Sequence, residues 1–333
     1  MEIVKLATLE ALRDLMQEDV ADRGLARDPR DNLIAANPAD FAFACQSLAD
    51  ADDLSVAIVT GFPIPPSFAG ETDGPIGAVY LARVLHRLGA RVAIHAEPFA
   101  GDAMVAAIAH LGLGTEIAVL PPPARLRPEW THLIAIERVG PSHTRASLVA
   151  QPRRGPAPET AFLTQVPPEH WDQCHTMRGT IITDQLLPAH RLFEQANMHK
   201  GLTTIGVGDG GNEIGMGRLR WETIARNIPN GAITACRIAT DFNLVSGISN
   251  WGAYALALGT AYCRGCHLAF DEFSAETETA VWRHAQNRAP LVDGVTGQAT
   301  LSVDGMDWAR HVRRLDEMLM LIDATSKPGT RHG

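Results

Sequence analysis

Alternating strand-like and helix-like segments along 333 residues predict an α/β fold: a mostly parallel open sheet with helices on both faces, a Rossmann-like three-layer sandwich. Three observations carry this. Residues 55–60, Ser-Val-Ala-Ile-Val-Thr, form a continuous β-branched run, as expected of a strand covered on both faces. Residues 75–88 then read as a helix that opens on Pro75 and stops at Gly89, and residues 91–95 as the next strand, which completes a βαβ unit. The same alternation persists to the end of the chain.

Taken in order, residues 6–20 place apolar side chains at helical spacing against a charged face, and Asp40 precedes a second helix over 41–48. After the βαβ unit come a helix over 102–111, a strand over 116–120 closed by Pro121-Pro122-Pro123, and a strand over 131–136. Residues 140–176 lack periodicity and are rich in Pro, Arg, Ser and Thr, so they read as a surface flap. A helix over 184–199, a strand over 202–207, a helix over 218–227, a strand over 235–240 and a helix over 250–262 follow. Helices over 275–287 and 306–322 close the chain around a glycine-rich link, 292–297. The expected organisation is an N-terminal helical extension, 1–50, and a single α/β domain, 51–330.

Composition narrows the chemistry. The chain is 46% apolar and 20% charged, with a net charge of −9, and no internal repeat or disorder signature. Only Lys5, Lys200 and Lys327 are lysines, against 26 arginines. Schiff-base chemistry and a P-loop ending in Gly-Lys are therefore hard to build. The acidic balance argues against a nucleic-acid surface, which needs a basic stripe. No apolar run reaches the roughly 18 residues of a membrane helix, and the N-terminus has neither the basic start nor the apolar run of a signal peptide. Five cysteines suit a reducing compartment, so a cytoplasmic location is expected. Cys263-x-x-Cys266-His267 matches the spacing of haem attachment or half a zinc site, but no second pair follows, and the thiols are read as structural.

In an open α/β sheet, ligands bind beyond the carboxyl ends of the strands. The loops there hold the reactive residues. Glu71, Thr72, Asp73 and Gly74 precede a helix N-terminus, where ordinary capping would explain one acid but not the cluster. Glu137 and Arg138 end the 131–136 strand, and Arg178 is a candidate carboxylate clamp. The densest signal is the run from Gly206 to Gly217. Gly206, Gly208 and Gly211 satisfy G-x-G-x-x-G, yet Gly215 and Gly217 would interrupt the helix that a dinucleotide site requires, and Asp241 lies far downstream. A backbone-lined site for a small anion or a metal is preferred, built from Gly208, Gly210, Gly211 and Asn212, with Asp209 and Glu213 as its reactive carboxylates and tentative metal ligands. Asn250 and Asp241 are further candidate substrate contacts. No G-x-S-x-G elbow or His-Glu-x-x-His occurs.

Glu71-Thr72-Asp73-Gly74-Pro75, Glu137-Arg138-x-Gly140, Met177-Arg178-Gly179, the motif from Gly208 to Gly217, Ser249-Asn250-Trp251-Gly252 and Val292-Asp293-Gly294-Val295-Thr296-Gly297 together resemble the D-glutamate cyclase-like C-terminal domain family. The resemblance implies a lyase that converts D-glutamate to 5-oxo-D-proline with loss of water. Asp209 with Glu213, or Glu71 with Asp73, would then act as acid and base. Arg178 and a helix N-terminus would hold the α-carboxylate, and glycine-loop N–H groups the oxyanion. Carboxylates around an anionic amino acid repel it unless some are protonated or Mg²⁺ or Mn²⁺ sits among them. No cofactor is required by the sequence, which also allows a homo-oligomer. The competing readings are an enzyme of nucleotides or phosphate esters and an amino-acid-binding module.

Overall fold

The computed structural model of the chain describes residues 3–198 and 201–326. In chain order its strands are β1 (Ser55–Thr60), β2 (Pro63–Ile64), β3 (Ala69–Gly70), β4 (Arg91–His95), β5 (Ala118–Leu120), β6 (His132–Ile136), β7 (Thr203–Gly208), β8 (Phe242–Val245), β9 (Ser302–Val303) and β10 (Met306–Asp307). The helices are α1 (Ile3–Met16), α2 (Asp40–Asp50), α3 (Pro75–Arg87), α4 (Pro98–His110), α5 (Arg145–Ala150), α6 (Glu159–Gln165), α7 (His190–Ala196), α8 (Trp221–Asn227), α9 (Gly231–Thr234), α10 (Ser249–Cys263), α11 (Phe270–Phe273), α12 (Ala275–Gln286) and α13 (Trp308–Ser326).

Six strands form one sheet in the order β5-β4-β1-β6-β7-β8, and every neighbouring pair is parallel. The chain winds from β1 outward to β5, returns to the other side of β1 at β6, and winds outward again to β8. That reversal leaves a crevice beyond the ends of β1 and β6, the place where such sheets bind ligands. β1 is buried along its whole length: Val56 and Ile58 enter the core on one face, Ala57 and Val59 the core on the other. The three-layer α/β architecture is therefore the one its continuous apolar run predicts.

Helices α1, α2, α3, α4, α10, α12 and α13 share one core with the first face. The centre of that layer is α10, which is buried on all sides except at its C-terminal end, in keeping with a helix that is apolar all round. Leu9, Leu12 and Met16 of α1 and Phe41 of α2 belong to the same core, and the Gly247 N–H donates to the Met16 carbonyl at 2.8 Å.

Four local expectations are corrected. Residues 235–240 do not enter the sheet; they run beside the glycine motif, where the Ile238 carbonyl accepts from the Gly215 and Gly217 N–H groups, and the edge position goes to β8. The 184–199 helix shortens to α7, preceded by a 3₁₀ turn at Thr183–Gln185; His199 lies outside the described residues. The 102–111 helix starts earlier, at Pro98. The supposed surface flap is folded: α5 and α6 lie within it, and Leu148, Phe162 and Val166 are buried in the second core, where Phe162 meets Trp221 edge-on at 5.3 Å. Short helices with one apolar anchor each are too brief to show a period, which is why composition dominated the expectation.

Because Phe162 is fully buried, Phe162→Ala is expected to cost about 3–5 kcal/mol of unfolding free energy in a urea titration. A loose surface segment would lose under about 0.5 kcal/mol.

Candidate active site

The loops beyond β1, β6 and β7 converge on one cavity of about 250 Å³, lined by Glu71, Glu137, Asp209, Asn212 and Asp304, with Arg23 and Arg178 as its cations. Thr60 and Gly61 end β1, and Glu71, Thr72 and Asp73 return from the β2–β3 hairpin. The backbone there is stitched to the C-terminal segment: Thr72 N–H donates to the Val292 carbonyl at 2.9 Å, and Thr72 Oγ1 to the Ser302 carbonyl at 2.7 Å. Thr72 is therefore a buried structural tether rather than a substrate contact.

Asp73 does more than accept from the Gly74 N–H at the start of its own helix, at 3.0 Å. Its carboxylate accepts from the Ser249 N–H at 2.9 Å and the Asn250 N–H at 2.8 Å, the first residues of α10. Asn250 Oδ1 returns the favour at α3, accepting from the Gly74 N–H at 3.0 Å and the Gly77 N–H at 2.7 Å. The two helix N-termini are thus capped reciprocally by side chains from each other. Asn250 is a strut between helices, and neither set of N–H groups is left for a substrate carboxylate. Gly74 has φ +96°, and a Cβ there would lie 2.7 Å from that of Glu137. Only glycine lets the two loops approach so closely.

The glycine motif also departs from the sequence expectation. Glu213 folds back into its own loop and accepts from the N–H groups of Asp209 (3.1 Å), Gly210 (2.6 Å) and Gly211 (2.8 Å). A Cβ at Gly208 would meet the Glu213 side chain at 2.9 Å, so that glycine makes room for the fold-back. Glu213 is a loop anchor. The N–H groups of Asp209, Gly210 and Gly211 are already occupied, and neither an oxyanion nor a phosphate finds them free. Asn212 lines the cavity and donates to the His175 carbonyl at 2.8 Å, while its buried Oδ1 makes no hydrogen bond.

Two other expected contacts lie elsewhere. Arg138 is buried and forms a bidentate pair with Glu97, at 2.5 and 2.6 Å, and also donates to the Leu187 carbonyl at 2.9 Å. It braces the loop after β6 instead of facing the cavity. Asp241 precedes β8 rather than following a strand; its carboxylate accepts from Thr204 N and Oγ1 near the start of β7, at the end of the sheet opposite the site. Arg178 does reach the cavity, at its exposed mouth, where it donates to the Val295 carbonyl at 3.3 Å.

The residues that sequence reasoning missed are Arg23 and Asp304. Arg23 leaves the segment after α1 and forms ion pairs with Asp209 and, at 2.7 Å, with Asp304. Asp304 sits at the tip of the β9–β10 hairpin with φ +53°, followed by Gly305 at φ +76°. An Asp-Gly pair between two strand residues is a readable two-residue hairpin signal. Nothing in a lone Arg-Gly dipeptide marks Arg23.

Charge dominates this cavity. Burial, followed by repulsion from Asp304, Asp73 and Asp209, holds the Glu71 carboxyl well above the usual range. Burial and then Asp209 do the same to Asp73 and Glu137. Glu137, at φ +43°, accepts from Ser249 Oγ at 2.6 Å. Asp304 is pushed up to about 6 by burial against the pull of Arg23, and burial also raises Asp209, again opposed by Arg23. Burial disfavours the Arg23 charge, but Asp209 and Asp304 outweigh it and hold the guanidinium above its ordinary value.

Carboxylate oxygens of Asp73, Glu137 and Asp209 lie within 4.8 Å of one another, the grouping with metal-ligand geometry among the described residues. This hard oxygen set suits Mg²⁺ or Mn²⁺. Glu213, expected as a ligand, is not part of it.

The family model described as D-glutamate cyclase-like, C-terminal, matches residues 12–148 and 166–319. The chain belongs to the D-glutamate cyclase-like, C-terminal family. That match spans the loops bearing Arg23, Glu71, Asp73, Glu137, Asp209 and Asp304, and breaks only inside the 140–176 segment. The chain is also 29% identical, over 315 aligned positions, to the D-glutamate cyclase, mitochondrial, of Homo sapiens; the alignment covers 82% of this chain and 46% of that relative. The chain thus spans less than half the length of the relative. No described helix is long and apolar enough to cross a membrane.

Two measurements check this geometry. Arg138→Ala, which strands the buried Glu97, is expected to cost about 3–5 kcal/mol in denaturant unfolding, whereas Arg178→Ala stays within about 0.5 kcal/mol. The pH dependence has a definite sign. Site carboxyls with raised folded values stabilise the protein fully below the ordinary carboxyl range, and that contribution is lost as pH rises through the folded values. The buried imidazoles act oppositely: burial depresses His132 to about 4 and His311 to about 3, so their contribution is lost as pH falls. Above about pH 7 they are neutral in both states and drop out. Stability in metal-free buffer is therefore expected to fall as pH rises through the folded values of these carboxyls, by up to about 1.4 kcal/mol per pH unit for each proton released, and Glu71→Gln should flatten that slope in thermal unfolding.

Proposed function

We propose that the chain is a D-glutamate cyclase, forming 5-oxo-D-proline and water. Besides family membership, one observation carries the reading: Glu71, whose buried Oε1 makes no hydrogen bond, faces the same small cavity as Asp209, which is ion-paired to Arg23. Burial raises both carboxyls, but Arg23 opposes it more strongly at Asp209, its ion-pair partner, than at Glu71, and that difference favours Glu71 as the acid and Asp209 as the base. The volume suits a substrate of about ten heavy atoms better than a nucleotide.

Ring closure joins the α-nitrogen to the γ-carboxyl carbon. The ammonium gives up two of its three protons, and these are the two that the departing oxygen needs to leave as water. Asp209 takes the first proton and frees the nitrogen lone pair. Glu71, whose Oε1 has no hydrogen bond, protonates the leaving oxygen. Asp209 passes its proton to Glu71, and a second round of the same cycle carries the second nitrogen proton to the departing oxygen, so water leaves with both protons and each residue ends as it began. The five-membered ring supplies proximity, so no nucleotide is needed to drive the encounter. A divalent cation, when bound, is held by Asp73, Glu137 and Asp209 and supplies charge compensation for the dicarboxylate. The occupied N–H groups of the glycine motif weigh against the phosphate-ester alternative.

Purified protein is to be incubated with D- and L-glutamate, with and without Mg²⁺ or Mn²⁺, and the mixture chromatographed for 5-oxoproline. The D isomer is expected to cyclise, and Asp209→Asn and Glu71→Gln are each expected to lower kcat by about 10²–10⁴-fold without unfolding the protein. Folded, metal-supplied protein that converts neither isomer overturns the proposal. A thermal shift with D-glutamate but no turnover makes the chain an amino-acid-binding module instead.

A further inference from the structure

We propose that Arg23 is a catalytic residue of the ring closure, carrying the negative charge that develops on the reacting carboxyl oxygen; this rests on the cyclase reading. When nitrogen attacks the γ-carbon, the C–N bond forms and the carbonyl π pair moves onto oxygen. When that pair returns, the other C–O bond breaks and water leaves. The intermediate oxyanion needs a fixed donor close to the base that frees the nitrogen.

The backbone donors that ordinarily serve this purpose are engaged. Glu213 occupies the N–H groups of the glycine motif, Asp73 those at the start of α10, and Asn250 those of Gly74 and Gly77. Two cations line the cavity. Arg178 stands at the exposed mouth, bound to a carbonyl, where water screens it. Arg23 is inside, with a side chain 12% exposed, and touches Asp209 directly. A guanidinium carries five N–H donors, so contacts with Asp209 and Asp304 leave others for a third oxygen.

The backbone beneath Arg23 is built to hold it. The Asp19 carboxylate accepts from the N–H groups of Arg23, Gly24 and Leu25, each at 3.0 Å. Gly24 turns at φ +92°, and a Cβ there would lie 2.5 Å from the Asn227 carbonyl. A surface arginine making a chance ion pair has no need of such a fixed base. Preorganisation of this kind lets a charge act without reorienting during the reaction.

The test compares wild type, Arg23→Lys, Arg23→Met and Arg23→Ala at one metal concentration, measuring kcat and KM for D-glutamate and Tm for each. Arg23→Ala and Arg23→Met are expected to lose about 10²–10³-fold in kcat with KM changed only a few-fold, and Arg23→Lys to retain more turnover than Arg23→Met. Millimolar guanidinium, well below denaturing concentration, should restore part of the turnover of Arg23→Ala. A raised KM at unchanged kcat, equal kcat in the Lys and Met variants, or no rescue of a folded Arg23→Ala overturns the inference. If Arg23→Ala does not fold, the Lys-against-Met comparison decides it. Wild-type protein without turnover refutes the cyclase reading itself, a result distinct from all of these.

Discussion

The reciprocal capping of α3 by Asn250 and of α10 by Asp73 is the constraint on which the rest of the molecule depends. Both helices start at the crevice beside β1, and each carries orphan N–H groups that would attract the nearest anion. By satisfying those groups from side chains of the opposite helix, the chain joins two loops that are far apart in sequence. It also fixes Asp73, and through Ser249 it fixes Glu137. The site acids are therefore held by the same bonds that seat the two most deeply buried helices on the sheet.

A second constraint follows. Five carboxyl groups, Glu71, Asp73, Glu137, Asp209 and Asp304, share one buried region with one internal guanidinium. They cannot all be ionised without partners, because burial and mutual repulsion both favour the neutral form. The chain meets this by inserting Arg23 between Asp209 and Asp304 and by turning Glu213 away onto backbone donors, while burial favours the protonated forms of the others. Crowding acids shifts their titration upward, and proton traffic is what the proposed lactam formation requires.

Elements with a strong periodic signal were readable from sequence. The continuous run at 55–60, the Pro75-to-Gly89 helix and the apolar helix ending at Cys263 each state their own burial. Residues 235–240 mislead because β-branched content reports a preference for extended backbone, and here that backbone pairs with the glycine motif instead of the sheet. The site was legible as a set of loops but not as a set of roles. Spacing places Glu213 in the motif, yet cannot say whether its carboxylate turns outward or back onto N–H groups two to four residues away. Arg138 and Glu97 are far apart in sequence, so their pairing is equally invisible, and Arg23 has no local signature at all.

The ion pairs of Arg23 with Asp209 and Asp304 join three segments that lie far apart in sequence. During synthesis Arg23 emerges long before Asp304, so the guanidinium stays without its second carboxylate partner until the β9–β10 hairpin has folded over it. Assembly of the site is in this sense a report that the segments bearing Arg23, Asp209 and Asp304 have closed on one another.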